Sequence, residues 1–99
     1  MGQPIKVVAA PRGDAVIYST DRSITGQDGV SYRTSAEAGA DDRFPGRLAV
    51  RLFAAEESLS SVFIASNQIV VKRVTDWDTS ATATLTGVIE DFFLFYPDA

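Results

Sequence analysis

The sequence predicts an α+β fold: a two-layer sandwich in which two helices cover one face of a mainly antiparallel sheet of four to five strands, in the order ββ(β)αββα. Two observations carry this reading. Residues 5–10 with 15–20, and 62–65 with 69–74, form two pairs of apolar runs, each pair joined by a few turn-forming residues. Connections that short pair strands antiparallel. Residues 47–56, and the stretch that opens at Asp76, instead space their apolar residues at the helical period. A chain of 99 residues makes one domain, spanning 1–99. At that length folding buries somewhat more than about 60% of the unfolded surface, enough for a core without covalent staples.

Ile5–Ala10 reads as the first strand. Pro11, Arg12, Gly13 and Asp14 form the turn, proline fixing φ and glycine free to take positive φ. Ala15–Thr20 returns. Asp28-Gly29 is a turn dipeptide, and Val30–Thr34 alternates apolar with polar as a third strand. Residues 35–46 are small and acidic and lack periodicity, so an exposed loop with at most a short helical turn is expected. Pro45 then stands at the start of an amphipathic helix. Leu48, Leu52, Ala55 and Leu59 form its stripe, widened by Phe53, with Arg47, Arg51 and Glu56 away from it.

Val62–Ala65, a turn at Ser66-Asn67-Gln68, and Ile69–Val74 make the second hairpin. Val62 and Ile64 lie on one face of its first strand and Phe63 on the other, so these strands are expected to be central or covered on more than one side. Thr75 and Asp78 stand at capping-box spacing before the last helix. Thr82-Ala83-Thr84-Leu85-Thr86 alternates as a strand would. Leu85, Val88, Ile89, Phe92 and Tyr96 fit a helix, however, and Pro97 supplies its stop.

The chain carries 9 Lys and Arg against 13 Asp and Glu, a net charge of −4, and its cations are scattered. Nucleic-acid binding needs a basic face, and so do anionic membranes; neither partner is expected. No apolar run approaches the roughly 20 residues of a membrane span. The N-terminus lacks a signal pattern, so a cytoplasmic location is expected. Cysteine and histidine are absent. That removes disulfides, thiolate and imidazole metal sites, and histidine acid–base or Ser–His and Cys–His nucleophilic chemistry. No cofactor and no enzymatic activity are expected.

Asp76-x-Asp78-x-Ser80 opens like a calcium loop, but Ala81 and Gly87 stand where the loop needs its glycine and its bidentate glutamate, so helix capping is the better reading. Glu37, Asp41 and Asp42 can gather a hard cation or pair as acid and base; a solvated acidic loop is the commoner use. Arg12-Gly13-Asp14 is read as a turn. Phe92-Phe93-Leu94-Phe95-Tyr96 cannot all be buried by one helix face. If Phe92 and Tyr96 face the sheet, Phe93 or Leu94 points elsewhere. Two readings stand: a C-terminus wrapped on its own domain, or an apolar patch for a partner. Trp77, at the entry of the same helix, has the same two readings, with core favoured. Trp77, Phe93, Leu94 and Tyr96 are thus the candidate partner-binding residues.

Several segments in succession resemble the N-terminal domain of the Nfu/NifU-like iron–sulfur scaffold family. Leu48-Ala49-Val50-Arg51-Leu52-Phe53, a turn, and Val62-Phe63-Ile64 are similar to that family's Leu-Ala-x-x-Leu-Phe helix and the strand after it. Ile69-Val70-Val71-Lys72, Asp76-Trp77 and Ile89-Glu90-Asp91-Phe92-Phe93 resemble its downstream motifs. Ser31–Ala38 is similar to its Phe-x-Ser-x-Glu-Glu-Ala segment. The family's Thr-Pro-Asn-Pro-Asn signature is reduced to Ala10-Pro11-Arg12-Gly13-Asp14, and the turn before Val62 lacks the usual glycine. Full-length members hold the cluster through a Cys-x-x-Cys motif in a second domain, which this chain does not contain. The resemblance therefore implies a stand-alone accessory domain: a non-enzymatic protein-interaction module serving iron–sulfur cluster assembly or delivery without binding the cluster. Its partners would be iron–sulfur proteins or assembly factors. A structural or regulatory interaction domain unrelated to clusters is the alternative.

Overall fold

Two hairpins set the architecture. β1 (Val7–Arg12) turns at Gly13-Asp14 into β2 (Ala15–Thr20), and β4 (Leu59–Ala65) turns at Ser66-Asn67 into β5 (Gln68–Arg73). β2 pairs β5 antiparallel through Val16↔Val71 and Tyr18↔Ile69, and so joins the hairpins. A short β3 (Val30–Tyr32) adds to the free side of β4. The result is a five-stranded antiparallel sheet in the order β1-β2-β5-β4-β3. Three helices, α1 (Ser35–Gly39), α2 (Phe44–Ala55) and α3 (Thr79–Phe95), complete the expected α+β sandwich. The computed structural model describes residues 6–21, 24, 29–56, 58–74 and 77–95, the side chains of 93–95 excepted. Ile5, Asp28, Thr75, Asp76, Tyr96 and Pro97, named above, lie outside these.

Strand alternation sorts the core. Val16 and Tyr18 of β2, Val62 and Ile64 of β4, and Ile69 and Val71 of β5 point toward the helices and are fully buried. Leu48 and Leu52 of α2 and Leu85 and Ile89 of α3 meet them, also fully buried. Phe44 and Phe92 join the two longer helices with rings 5.0 Å apart, edge to face. The Tyr18 hydroxyl donates to the Thr82 carbonyl (3.2 Å), tying the sheet to α3, and burial pushes its pKa up to about 12.

Some boundaries differ from expectation. Pro11 and Arg12 belong to β1, because a two-residue turn with Gly13 at φ 61 suffices. Leu59 is buried as a strand residue, not as part of the α2 stripe, and Ala55 is exposed; Ala49 takes the buried place. The helix ends at Ala55, where the Glu56 N–H bonds the Leu52 carbonyl with Glu56 already extended. Gln68 opens β5 rather than closing the turn. Ser66 there adopts φ 56, which is uncommon without glycine. The turn is gripped from β2: the Thr20 N–H and hydroxyl both donate to the Asn67 carbonyl, and the Asn67 amide donates back to the Thr20 carbonyl (2.9 Å).

α3 begins at Thr79, so its cap is Asp78: one carboxylate oxygen accepts the Ala81 N–H (2.7 Å), and the Asp78 carbonyl accepts the Thr82 N–H. The threonines that imitate a strand pattern donate their hydroxyls one turn back, Thr82 to Asp78, Thr84 to Ser80 and Thr86 to Thr82, at 2.9–3.0 Å. Each thereby satisfies its polar atom without leaving the helix.

Candidate interaction surface

Trp77 is half-buried against the core at the entry to α3. Its indole N–H donates to the Asp14 carbonyl (3.0 Å), and the Arg73 guanidinium lies 5.3 Å from its ring centroid. Arg73 also donates to the Ser58 hydroxyl (2.7 Å) and reaches Glu56 at 3.6 Å. Trp77 thus clasps the first turn to the end of β5. A groove of about 630 Å³ opens beside it, lined by Pro11, Gly13, Trp77, Asp78, Thr79, Thr82 and Ala83. The backbone of Phe93 and Leu94 is helical; their side chains, and Tyr96, lie outside the described residues.

The acidic segment is not a solvated loop throughout. Thr34 caps α1 by accepting the Glu37 N–H (3.0 Å), while the Glu37 carboxylate accepts the Arg33 N–H (2.8 Å). Thr34-x-x-Glu37 has the capping-box spacing, which sequence reading passed over, with the return bond made to the residue before the cap. Asp41 bridges inward: its carboxylate accepts the hydroxyl of buried Tyr32 (2.5 Å) and the Nε–H and terminal N–H of Arg43 (both 2.8 Å). The Arg43 hydrogen bonds, then that of Tyr32, hold its carboxyl well below the usual carboxylate range. Burial, then the Asp41 contact, raises the Tyr32 phenol in turn. Among the described residues no three carboxylates gather as a metal site.

The opposite face of the sheet is the surface that pattern reading missed. Apart from a register irregularity between Leu59 and Ser61 in β4, positions alternate, so registers across the strands fix its rows. Ala10 pairs Ile17, Ile17 pairs Val70, Val70 pairs Phe63 and Phe63 pairs Ser31, a row across the five strands that is apolar on β1, β2, β5 and β4 and ends on a serine. Beside it Arg12 pairs Ala15, Ala15 pairs Lys72 and Lys72 pairs Ser61. On the other flank Val8, Ser19, Gln68 and Ala65 follow one another. Val8 is 60% exposed and Phe63 39%, while Ile17 and Val70 are half-buried by their neighbours. Gly29, at φ 71, lies against the Phe63 ring; a Cβ there would come within 2.9 Å of the ring, of Ala65 Cβ and of the Ile64 carbonyl. The mixed faces of Val62-Phe63-Ile64 fit this surface and a covered sheet alike. They reflect a central strand with one covered face, and no described element covers the other.

With this geometry in place, a likeness to known proteins can be stated. The fold is similar to that of protein SAV1430 from Staphylococcus aureus. The two share 16% identity over 92% of this chain and 99% of that one, with a TM-score of 0.58. At that identity the similarity is one of fold. No family model matches the chain, and no curated protein does.

Proposed function

We propose that this chain is a non-enzymatic protein-interaction module of the cytoplasm, resembling the N-terminal domain of the Nfu/NifU-like family. It would serve iron–sulfur cluster assembly or delivery through protein contacts and leave cluster ligation to others. The observation that carries the interaction reading is the open sheet face, with Phe63 and Val8 exposed beside Ile17 and Val70. A contiguous apolar surface of this kind marks a partner site. The link to clusters comes from the resemblance, and the absence of Cys and His limits this chain to contacts without thiolate or imidazole ligation. Nucleic acid and membrane are not its partners in this reading.

The test is anaerobic affinity capture of the tagged chain from its source cells, with quantitative proteomics of the eluate. Enrichment of cluster carriers or cluster-requiring enzymes is expected; an eluate of unrelated proteins would reject the link. Repeating the capture with Phe93→Glu asks whether the C-terminal aromatic run is the contact: lost partners with unchanged melting would assign it so, whereas a melted domain would place Phe93 in the core.

A second reading, an interaction domain unrelated to clusters, is favoured by one observation. The reduced signature Ala10–Asp14 forms the end of β1 and its turn, bordering the open face. If that segment sets partner choice, its divergence moves the module to other clients.

A further inference from the structure

We propose that the open sheet face seats an acidic amphipathic helix of a partner protein, with its apolar stripe over Ala10, Ile17, Val70 and Phe63 and its carboxylates over Arg12 and Lys72. This rests on the interaction-module reading and adds the surface and the chemistry of what it binds.

Charge decides the occupant. The chain as a whole is acidic, 13 carboxylates against 9 cations. Every outward-facing strand position on this face is nonetheless neutral or basic: Val8, Ala10 and Arg12 on β1, Ala15, Ile17 and Ser19 on β2, Ser31 on β3, Ser61, Phe63 and Ala65 on β4, and Gln68, Val70 and Lys72 on β5. Arg12 and Lys72 are both exposed, in one row on either side of buried Ala15. The nearest carboxylate in sequence, Asp14, stands in the turn beyond the row, its carbonyl held by Trp77. A surface of this kind attracts a partner whose acids flank apolar groups.

Geometry favours a helix. Strands spaced about 4.8 Å apart make the apolar part of the row, from β1 to β4, roughly 14 Å wide, the length of about 10 helical residues. A helix laid there would pack on the side of the sheet that no described element covers, opposite α2 and α3. A second copy of the same face would bring two more cations and no strand carboxylate to the interface, a poor charge match. A bilayer is less well matched, since lipid-binding segments gather about 4–8 cations.

The test is a displayed library of helical peptides of about 18 residues (roughly five turns), with a fixed leucine stripe and randomised flanks, selected on the full chain. Enriched peptides should carry Asp and Glu on one flank. Their binding should fall about tenfold with Phe63→Ser or with added salt. Because Phe63→Ser also removes packing from the fold, the deciding variant is the exposed pair Arg12→Glu/Lys72→Glu, which should switch the selected flanks to Lys and Arg. No enrichment, flanks without charge bias, or selection unchanged by the charge pair would overturn the proposal. So would a sedimenting dimer, or retention on phosphatidylserine vesicles, that the charge pair abolishes. Cluster proteins captured equally by wild type and charge pair would leave the module reading standing and remove this surface. Acidic helices selected while no cluster protein is captured would do the reverse.

Discussion

A methyl group on Gly46 would sit against the Asp41 carbonyl oxygen and within 2.8 Å of Asp41 Cβ. That neighbour is backbone and cannot swing away. Gly46→Ala should therefore cost about 2 kcal/mol, the size of a modest overpacking, read as a lower urea midpoint at unchanged slope. Asp41 itself links Tyr32 of β3 to Arg43 at the start of α2. Its carboxyl is held down in the folded state, so the folded chain binds fewer protons there than the unfolded chain. The stability this contributes is complete above the ordinary carboxylate pKa of about 3.9 and is lost as pH falls below it. Asp41→Asn should flatten the acid limb of stability below about pH 4 relative to wild type, as measured by urea titrations at stepped pH. A steep limb unchanged by the substitution would remove Asp41 as its source.

At the level of elements, α3 shows where local pattern and final structure compete. Thr82, Thr84 and Thr86 alternate like a strand, yet each bonds a carbonyl one turn back, while Ala81, Leu85, Ile89 and Phe92 keep the buried stripe. Packing of that stripe outweighs weak intrinsic propensity. Thr84 is exposed, so Thr84→Ala should raise stability by about 0.5 kcal/mol through helix propensity, seen as a higher Tm; a fall would mean its bond to Ser80 matters more. Both hairpins, the second strand and the α2 stripe from Leu48 to Phe53 were legible, because strand and helix periods are written in the order of apolar residues. The capping-box spacing of Thr34 and Glu37 was legible too, but a helix of 5 residues gives no periodicity to announce it. The inward turn of Asp41 was not legible: its partners Tyr32 and Arg43 identify themselves only once β3 and α2 are placed.

For the molecule as a whole, the sheet order puts β5 at the centre, bonded to β2 and β4, with β1 and β3 at the rims. Amide hydrogen exchange should accordingly be slowest at Ile69 and Val71 and faster through β1 and β3; equal protection of rim and centre would contradict the topology. The order itself could not be read from sequence, since the pairing of β2 with β5 joins distant segments. Nor could the open face be foreseen, because apolar residues on both sides of β4 fit a covered sheet equally well. Its charge pattern emerges only when Arg12 and Lys72, far apart in the chain, are brought into one row.

The rims bear on how the protein behaves when crowded. β3 offers a visiting strand a ladder of 3 residues. On β1, Arg12 and Ala15 close a two-residue turn, so the alternation of the ladder directs the nitrogen of the preceding Pro11 outward, where it has no hydrogen to give. Neither described rim therefore makes a good template for another chain, which disfavours stacking of copies edge to edge into fibres. The sheet can present greasy residues on its broad side without the molecule polymerising along its margins.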